Sequence, residues 1–367
     1  MLLDDLALLF VPGLGSLTAA RLIDAVGSAR QILTSPLHRL VGEYGLKESV
    51  ARSIVTGESY KMAEKEVNYC RKNDIEIVTV ADERYPEPLR EAVDRPHVLF
   101  VQGSVEALSM RTLSMVGTRE MSPSGQHVAD KLIAELGAKL SDLCIVSGLA
   151  YGVDAACHRA ALAHNVKTVA VVANVLPDVQ PAPHRALAED ILRRGGAIVS
   201  ELHSQTKQNG RQFVARNRII AAMSMGTLVV ESPASGGSLV TADMADGYHR
   251  TVMALPGRIT DANSFGTNNL IRSGKARLVL TADDIIEDMD WEVTNMATMN
   301  VDDNNLLEGL TSEQMRCLEA LGGAVSMDVS QILAATAMTI GELTMALIEL
   351  EMRGLVRQLP GQRYERV

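Results

Sequence analysis

Residues 144–154 read CIVSGLAYGVD, with Cys144 to Ser147 an apolar run, Gly148 and Gly152 framing a short turn, and Val153 opening a helical pattern. A buried strand running into a glycine-rich turn and then a helix is the unit of a parallel α/β sheet. The same unit recurs outward in both directions. Strand-like runs stand at Leu113–Val116, Thr168–Ala173, Ala197–Ser200, Thr227–Glu231, Val252–Ala254 and Leu278–Leu280. Helical spacing over Ser124–Leu140, Val153–His164 and Asn217–Ser224 lies between them. Right-handed crossovers make such a series doubly wound, so we expect an α/β fold with an extended Rossmann-like core over residues 71–280. Ile75–Val80 and His97–Val101, separated by Pro86, Pro88 and Pro96, are expected to extend that sheet as an antiparallel edge.

The flanks differ in character. Residues 1–70 predict a helical domain. Val11-Pro12-Gly13-Leu14-Gly15, ahead of an apolar helix, has the form of a SAM or helix-hairpin-helix element, whose opening amides can face a phosphate, or of a glycine-cornered bundle. Residues 281–308 carry nine Asp or Glu and no Lys or Arg, so an acidic, solvated linker is expected there. Residues 309–367 predict a winged-helix domain: a cap at Thr311 or Ser312, helices over Val329–Ala335 and Ile340–Met352, then short strands around Pro360-Gly361.

The formal net charge of −10 argues superficially against a polyanionic ligand. Its distribution reverses that, because residues 200–280 hold nine Lys or Arg against five acids. Four scattered cysteines without a CxxC pair argue against a disulfide framework or a structural zinc site. No apolar run reaches membrane-spanning length and the N-terminus lacks a basic leader, so a cytoplasmic location without membrane contact is expected.

Ligands of doubly wound sheets bind beyond the carboxyl ends of the strands. There the sequence places Gly117-Thr118-Arg119, Ser147-Gly148, Gly236-Gly237-Ser238 and Pro256-Gly257-Arg258, with Phe213 and Arg216-Asn217-Arg218 ahead of a helix. Glycines allow close backbone approach to a phosphate, and arginine adds charge-assisted hydrogen bonds. Phe213 beside those arginines suits stacking on an unpaired base; Tyr151 and Phe265 are expected to plug the ends of the core. Asp154 and His158, four residues apart, suggest a capping carboxylate anchoring an imidazole more than an acid–base pair. Asp243, Asp246 and His249 match no metal-ligand spacing, and no metal or cofactor is expected.

MVGTR (115–119), VSGLAYGVDAACH (146–158), RNRIIA (216–221), GGSLVTA (236–242), LPG (255–257) and NNLI (268–271) together resemble the DprA/Smf family in order and spacing. The resemblance implies a non-enzymatic protein that binds single-stranded DNA, dimerises through the end of the core, and loads RecA during transformation or recombination. It implies phosphate contact for Arg119, a pocket lined by Arg216, Asn217 and Arg218, a Gly236-Gly237-Ser238 loop, and the family's aromatic at Phe213. Val214 departs from the family's proline, and residues 174–185 depart from its usual stretch. The alternative is a Rossmann-like nucleotide phosphoribohydrolase of the lysine-decarboxylase-like type. Its signature glutamate is missing after Gly236-Gly237-Ser238-Leu239-Val240-Thr241.

Overall fold

A computed structural model describes residues 2–207, 209–294, 310–321, 326–352, 355–359 and 363–366. The chain forms two compact units, Met1–Asn295 and Met296–Val367.

The first unit is built on β1 (Glu76–Thr79), β2 (Val98–Gly103), β3 (Arg111–Val116), β4 (Leu143–Ser147), β5 (Lys167–Val171), β6 (Ala197–Ser200), β7 (Gly226–Val229), β8 (Thr251–Ala254) and β9 (Arg277–Leu278). They form one sheet in the order β1-β2-β6-β5-β4-β3-β7-β8-β9. Strands β3 to β9 pair in parallel, while β1 and β2 add an antiparallel edge. This is the expected doubly wound core. Burial on both faces explains the unbroken apolar runs: Cys144 and Val146 enter one core cluster, Leu143 and Ile145 the other.

Helices α1 (Leu2–Leu9), α2 (Ser16–Val26), α3 (Ala29–Leu33), α4 (Leu37–Gly42), α5 (Glu48–Thr56) and α6 (Glu58–Lys72) precede the sheet. Their apolar sides do not close on themselves. Leu6, Ile32 and Leu40 share one buried cluster with Phe100, Leu149 and Ile198 of the core. The remaining helices are α7 (Glu87–Arg90), α8 (Pro123–Lys139), α9 (Val153–Ala163), α10 (Arg185–Arg193), α11 (Arg211–Met223), α12 (Gly237–Gly247), α13 (Phe265–Arg272) and α14 (Ala282–Asp288).

Two expectations need correcting. Helix α11 begins at Arg211, so Phe213 and Arg216-Asn217-Arg218 lie within it. Nothing in residues 211–216 breaks a helix, and the Asn209 side chain accepts from Arg211 N at 3.0 Å. The acidic segment starts as helix α14, not as a solvated linker. Thr281 and Asp284 form a reciprocal cap, and Ala282, Ile285 and Ile286 are buried while Asp283 and Glu287 are exposed. Lys139 pairs with Asp283, and Arg277 with Asp288 at 2.6 Å. Residues 295–309 of the expected linker lie outside the described residues.

The second unit contains α15 (Ser312–Leu321), β10 (Met327–Asp328), α16 (Val329–Thr336), α17 (Ile340–Met352), β11 (Val356–Leu359) and β12 (Arg363–Arg366). The strands pair antiparallel in the order β10-β12-β11. Thr311 caps α15, accepting from Gln314 N at 3.3 Å, and Asp328 caps α16. Cys317, Leu321, Ile332, Leu343 and Leu350 make a separate core, completing the expected winged helix. Among the described residues no single helix is long and apolar enough to cross a membrane.

Candidate nucleic-acid interface

From β3 the chain moves to β4 on one side, and it later returns to place β7 on the other. The carboxyl ends of β3 and β7 therefore bound the crevice where a doubly wound sheet binds its ligand. A cavity of about 290 Å³ opens there, lined by Gly117-Thr118-Arg119 after β3, Gly236-Gly237-Ser238 opening α12, and Phe213, Arg216 and Asn217 of α11. Gly117 is required by crowding: a Cβ would collide with Val153 and lie 2.8 Å from the Glu231 carbonyl oxygen. Gly152, at φ +73°, brings the head of α9 against the same loop. Helix α12 has Gly236 at its N-cap and no side-chain cap, so its opening backbone amides are not capped by that residue. The Ser238 hydroxyl is turned away, donating to Ser232 Oγ at 3.0 Å.

The pocket's two arginines differ. Arg216 is 6% exposed and donates to the carbonyls of Gly148, at 2.7 Å, and Val171, and to Asn217 Oδ1 at 3.1 Å. Burial pulls its pKa down, and the charge of Asp154 opposes that. Asp154 also lines the cavity; burial pushes its pKa up against the pull of Arg216, and its Oδ2 accepts from Ala150 N at 3.3 Å. Arg119 is exposed, and among the described residues no hydrogen bond or ion pair engages its guanidinium. It is the cation free to meet an incoming anion.

A second cavity of about 240 Å³ adjoins the first, sharing Arg119, Phe213 and Arg216 and adding Gly148, Tyr151, Gln180 and Pro181. Phe213 is 43% exposed and Tyr151 47%. The Tyr151 ring stands edge-on against His184 at 4.9 Å, and His184 Nδ1 is 2.8 Å from the Leu149 carbonyl oxygen. Tyr151 is therefore a wall of the site and not the core plug expected from sequence. Its place between Gly148 and Gly152, in a turn beyond a strand end, is the signal that could have found it. Phe265 is likewise exposed, at the start of α13. Residues 174–185, to which no role was given, supply Gln180 and Pro181.

Two expected site residues lie elsewhere. Ser147 is fully buried beneath the pocket, donating to the Met115 carbonyl at 2.6 Å. Arg218 points to the other side of α11, because residues two apart on a helix do not share a face. Its guanidinium bonds Glu201 at 2.5 Å and Ser16 Oγ at 3.3 Å and lies 3.7 Å from Asp94, which accepts from Tyr248 at 2.7 Å. Burial raises the Glu201 pKa, with Arg218 opposing. His158, too, is not anchored by Asp154; its Nδ1 lies 2.7 Å from Thr168 Oγ1, and burial takes it down to about 3. Asp243 pairs with Lys275 at 2.8 Å. Among the described residues no group of three His, Cys, Asp or Glu could hold a metal ion.

Residues 76–290 match the DNA recombination-mediator protein A family, and residues 303–362 the DprA winged helix domain. Protein Smf of Escherichia coli is 31% identical over 321 residues, covering 83% of this chain and 84% of that protein. The X-ray structure of DNA processing protein A from Streptococcus pneumoniae superposes with a TM-score of 0.68 at 29% identity, over 78% of this chain and 98% of that one. A structure of the Helicobacter pylori protein, described for its single-stranded DNA binding mode, gives a TM-score of 0.53 at 26% identity, over 59% of this chain and 97% of that one.

Proposed function

The chain belongs to the DNA recombination-mediator protein A (DprA/Smf) family, and from that premise we propose that its twin pocket binds single-stranded DNA and that a dimer delivers the strand to RecA. The observation carrying this reading is the unpaired Arg119 guanidinium, set between the start of α12 and the exposed rings of Phe213 and Tyr151. A backbone phosphate meets Arg119 and free amides, and an unstacked base lies against the aromatic rings. Glycine at 236 and 237 leaves the approach open, since Cβ atoms there would meet nothing closer than 3.8 Å. Arg216 adds its charge from the floor.

The reading is of a binder without turnover. Asp154 is the one pocket carboxylate, and it is held by Ala150 N and the charge of Arg216. Dimerisation is supported by edge strand β9 and the residues after it, where Leu278 is 44% and Leu280 66% exposed. Two pockets on one assembly raise the effective concentration of the strand. The protein acts in the cytoplasm, where RecA and incoming single strands meet.

The test is binding of labelled single-stranded and duplex oligonucleotides at two salt concentrations. With Arg119 and Arg216 neutralising about two phosphates, affinity for the single strand falls about sevenfold between 50 and 200 mM salt. Equal affinity for duplex, or no salt dependence, defeats the binding half. For loading, RecA filament growth is followed on strand coated with a single-strand-binding protein. A Leu280→Asp variant shown by light scattering to be monomeric should lose the acceleration. If it keeps it, the dimer has no part in loading; if wild type gives none, loading fails.

A further inference from the structure

Helix α17 occupies the place of a recognition helix in the winged-helix unit, yet its surface is wrong for DNA. Leu343, Ala346, Leu347 and Leu350 face the core. On the outer side Ile340 is 68%, Met345 60% and Ile348 48% exposed. At about 100° per residue these three fall within one arc of about 140°, with Glu349 and Glu342 beyond its Met345 edge and Glu351 inside it between Ile340 and Ile348. The helix contains no Lys or Arg. A cavity of about 400 Å³ lies between α15 and α17 at the Met345 edge of this arc, lined by Met345 and Ala346 and by Glu313, Glu342 and Glu349. The carboxylates are held in place: Glu342 accepts from Thr339 N and Oγ1 at 2.8 Å, Glu349 from the Gln314 side chain, and Glu351 from Gln358 N at 3.4 Å.

We propose that this groove of the winged-helix unit is a docking site for a basic amphipathic helix of a partner protein. The exposed Ile340, Met345 and Ile348 supply apolar anchors, and the carboxylates along the cavity edge, with Glu351 inside the face, select lysine or arginine on the visitor. Charge decides against the other occupants. A duplex in the usual winged-helix pose would bring phosphates against Glu342, Glu349 and Glu351. A second copy pairing through the same face would set glutamate against glutamate. This surface belongs to the second unit and the pocket between β3 and β7 to the first, and the inference stands or falls independently of strand binding in that pocket.

The test uses the full chain and two labelled peptides, with leucine at helical spacing and either lysine or glutamate on the flanks, read by fluorescence anisotropy at low salt. The lysine peptide should bind at least about tenfold tighter than its counterpart. Met345→Ser with Ile348→Ser should abolish binding of both. Glu349→Lys with Glu351→Lys should reverse the preference, a gain that misfolding cannot produce; melting curves check both variants. Equal binding of the two peptides, or unchanged preference after charge reversal, overturns the proposal. So does a duplex-binding activity, or a self-association seen by light scattering, that the Met345/Ile348 variant loses.

Discussion

Arg218 and Arg119 should respond oppositely to truncation. Arg218→Ala removes the partner of Glu201 at 2.5 Å, where the two side chains are 11% and 19% exposed. Breaking one side of a buried pair costs about 3–5 kcal/mol, since the remaining charge is left uncompensated. That is a large share of the roughly 5–15 kcal/mol that holds a domain folded. Asp94, 3.7 Å away, loses its cation as well. Arg218→Met with Glu201→Gln, which removes both charges and keeps the bulk, should recover most of the loss. Arg119 has nothing to lose in the folded state, so Arg119→Ala should change stability by less than about 0.5 kcal/mol. It should instead flatten the plot of log affinity against log salt by about 0.7, the share of one phosphate. Urea unfolding and salt-titrated anisotropy on a single-stranded oligonucleotide read the two effects separately. If Arg218→Ala flattens the salt plot while leaving stability intact, the two arginines do not divide the labour in this way and Arg218 touches the strand.

Gly117→Ala should destabilise the protein by about 1–3 kcal/mol in thermal melts, because the new methyl has no space beside Val153 and the Glu231 carbonyl. Tyr151→Ala should weaken single-strand binding by about 1–3 kcal/mol with the salt slope unchanged, since stacking is not ionic; an altered slope would count against a stacking role. Burial holds folded His97 at about 4, below its ordinary 6.5. Its contribution to stability is therefore complete above the unfolded value and is lost as pH falls through the folded one. Between roughly pH 6 and 4.5 the wild type should lose stability more steeply than His97→Gln, by about 1.4 kcal/mol per pH unit for the one proton; parallel curves would show that His97 titrates normally.

The sequence by itself determined the sheet and most of the pocket. Strands buried on both faces must be apolar throughout, so 113–116, 144–147 and 197–200 were legible without contacts. Glycines forced by crowding, such as Gly117 and Gly152, mark the strand ends, and the order of strands and helices places those ends together. Tertiary structure decided what linear spacing cannot express. Arg216 and Arg218 are neighbours in an arginine-rich block, but the helix turns about 200° between them, sending one to the pocket and the other to Glu201. Tyr151 looked like core because aromatic residues are costly to expose, and only the approach of α11 and His184 makes its exposed ring part of a wall. The acids after residue 281 read as a linker by composition, yet Ala282, Ile285 and Ile286 find a place beside α8, and burying them outweighs solvating the segment. Local pattern reports which residues can be buried or charged; which side chain faces which depends on neighbours far away in the chain.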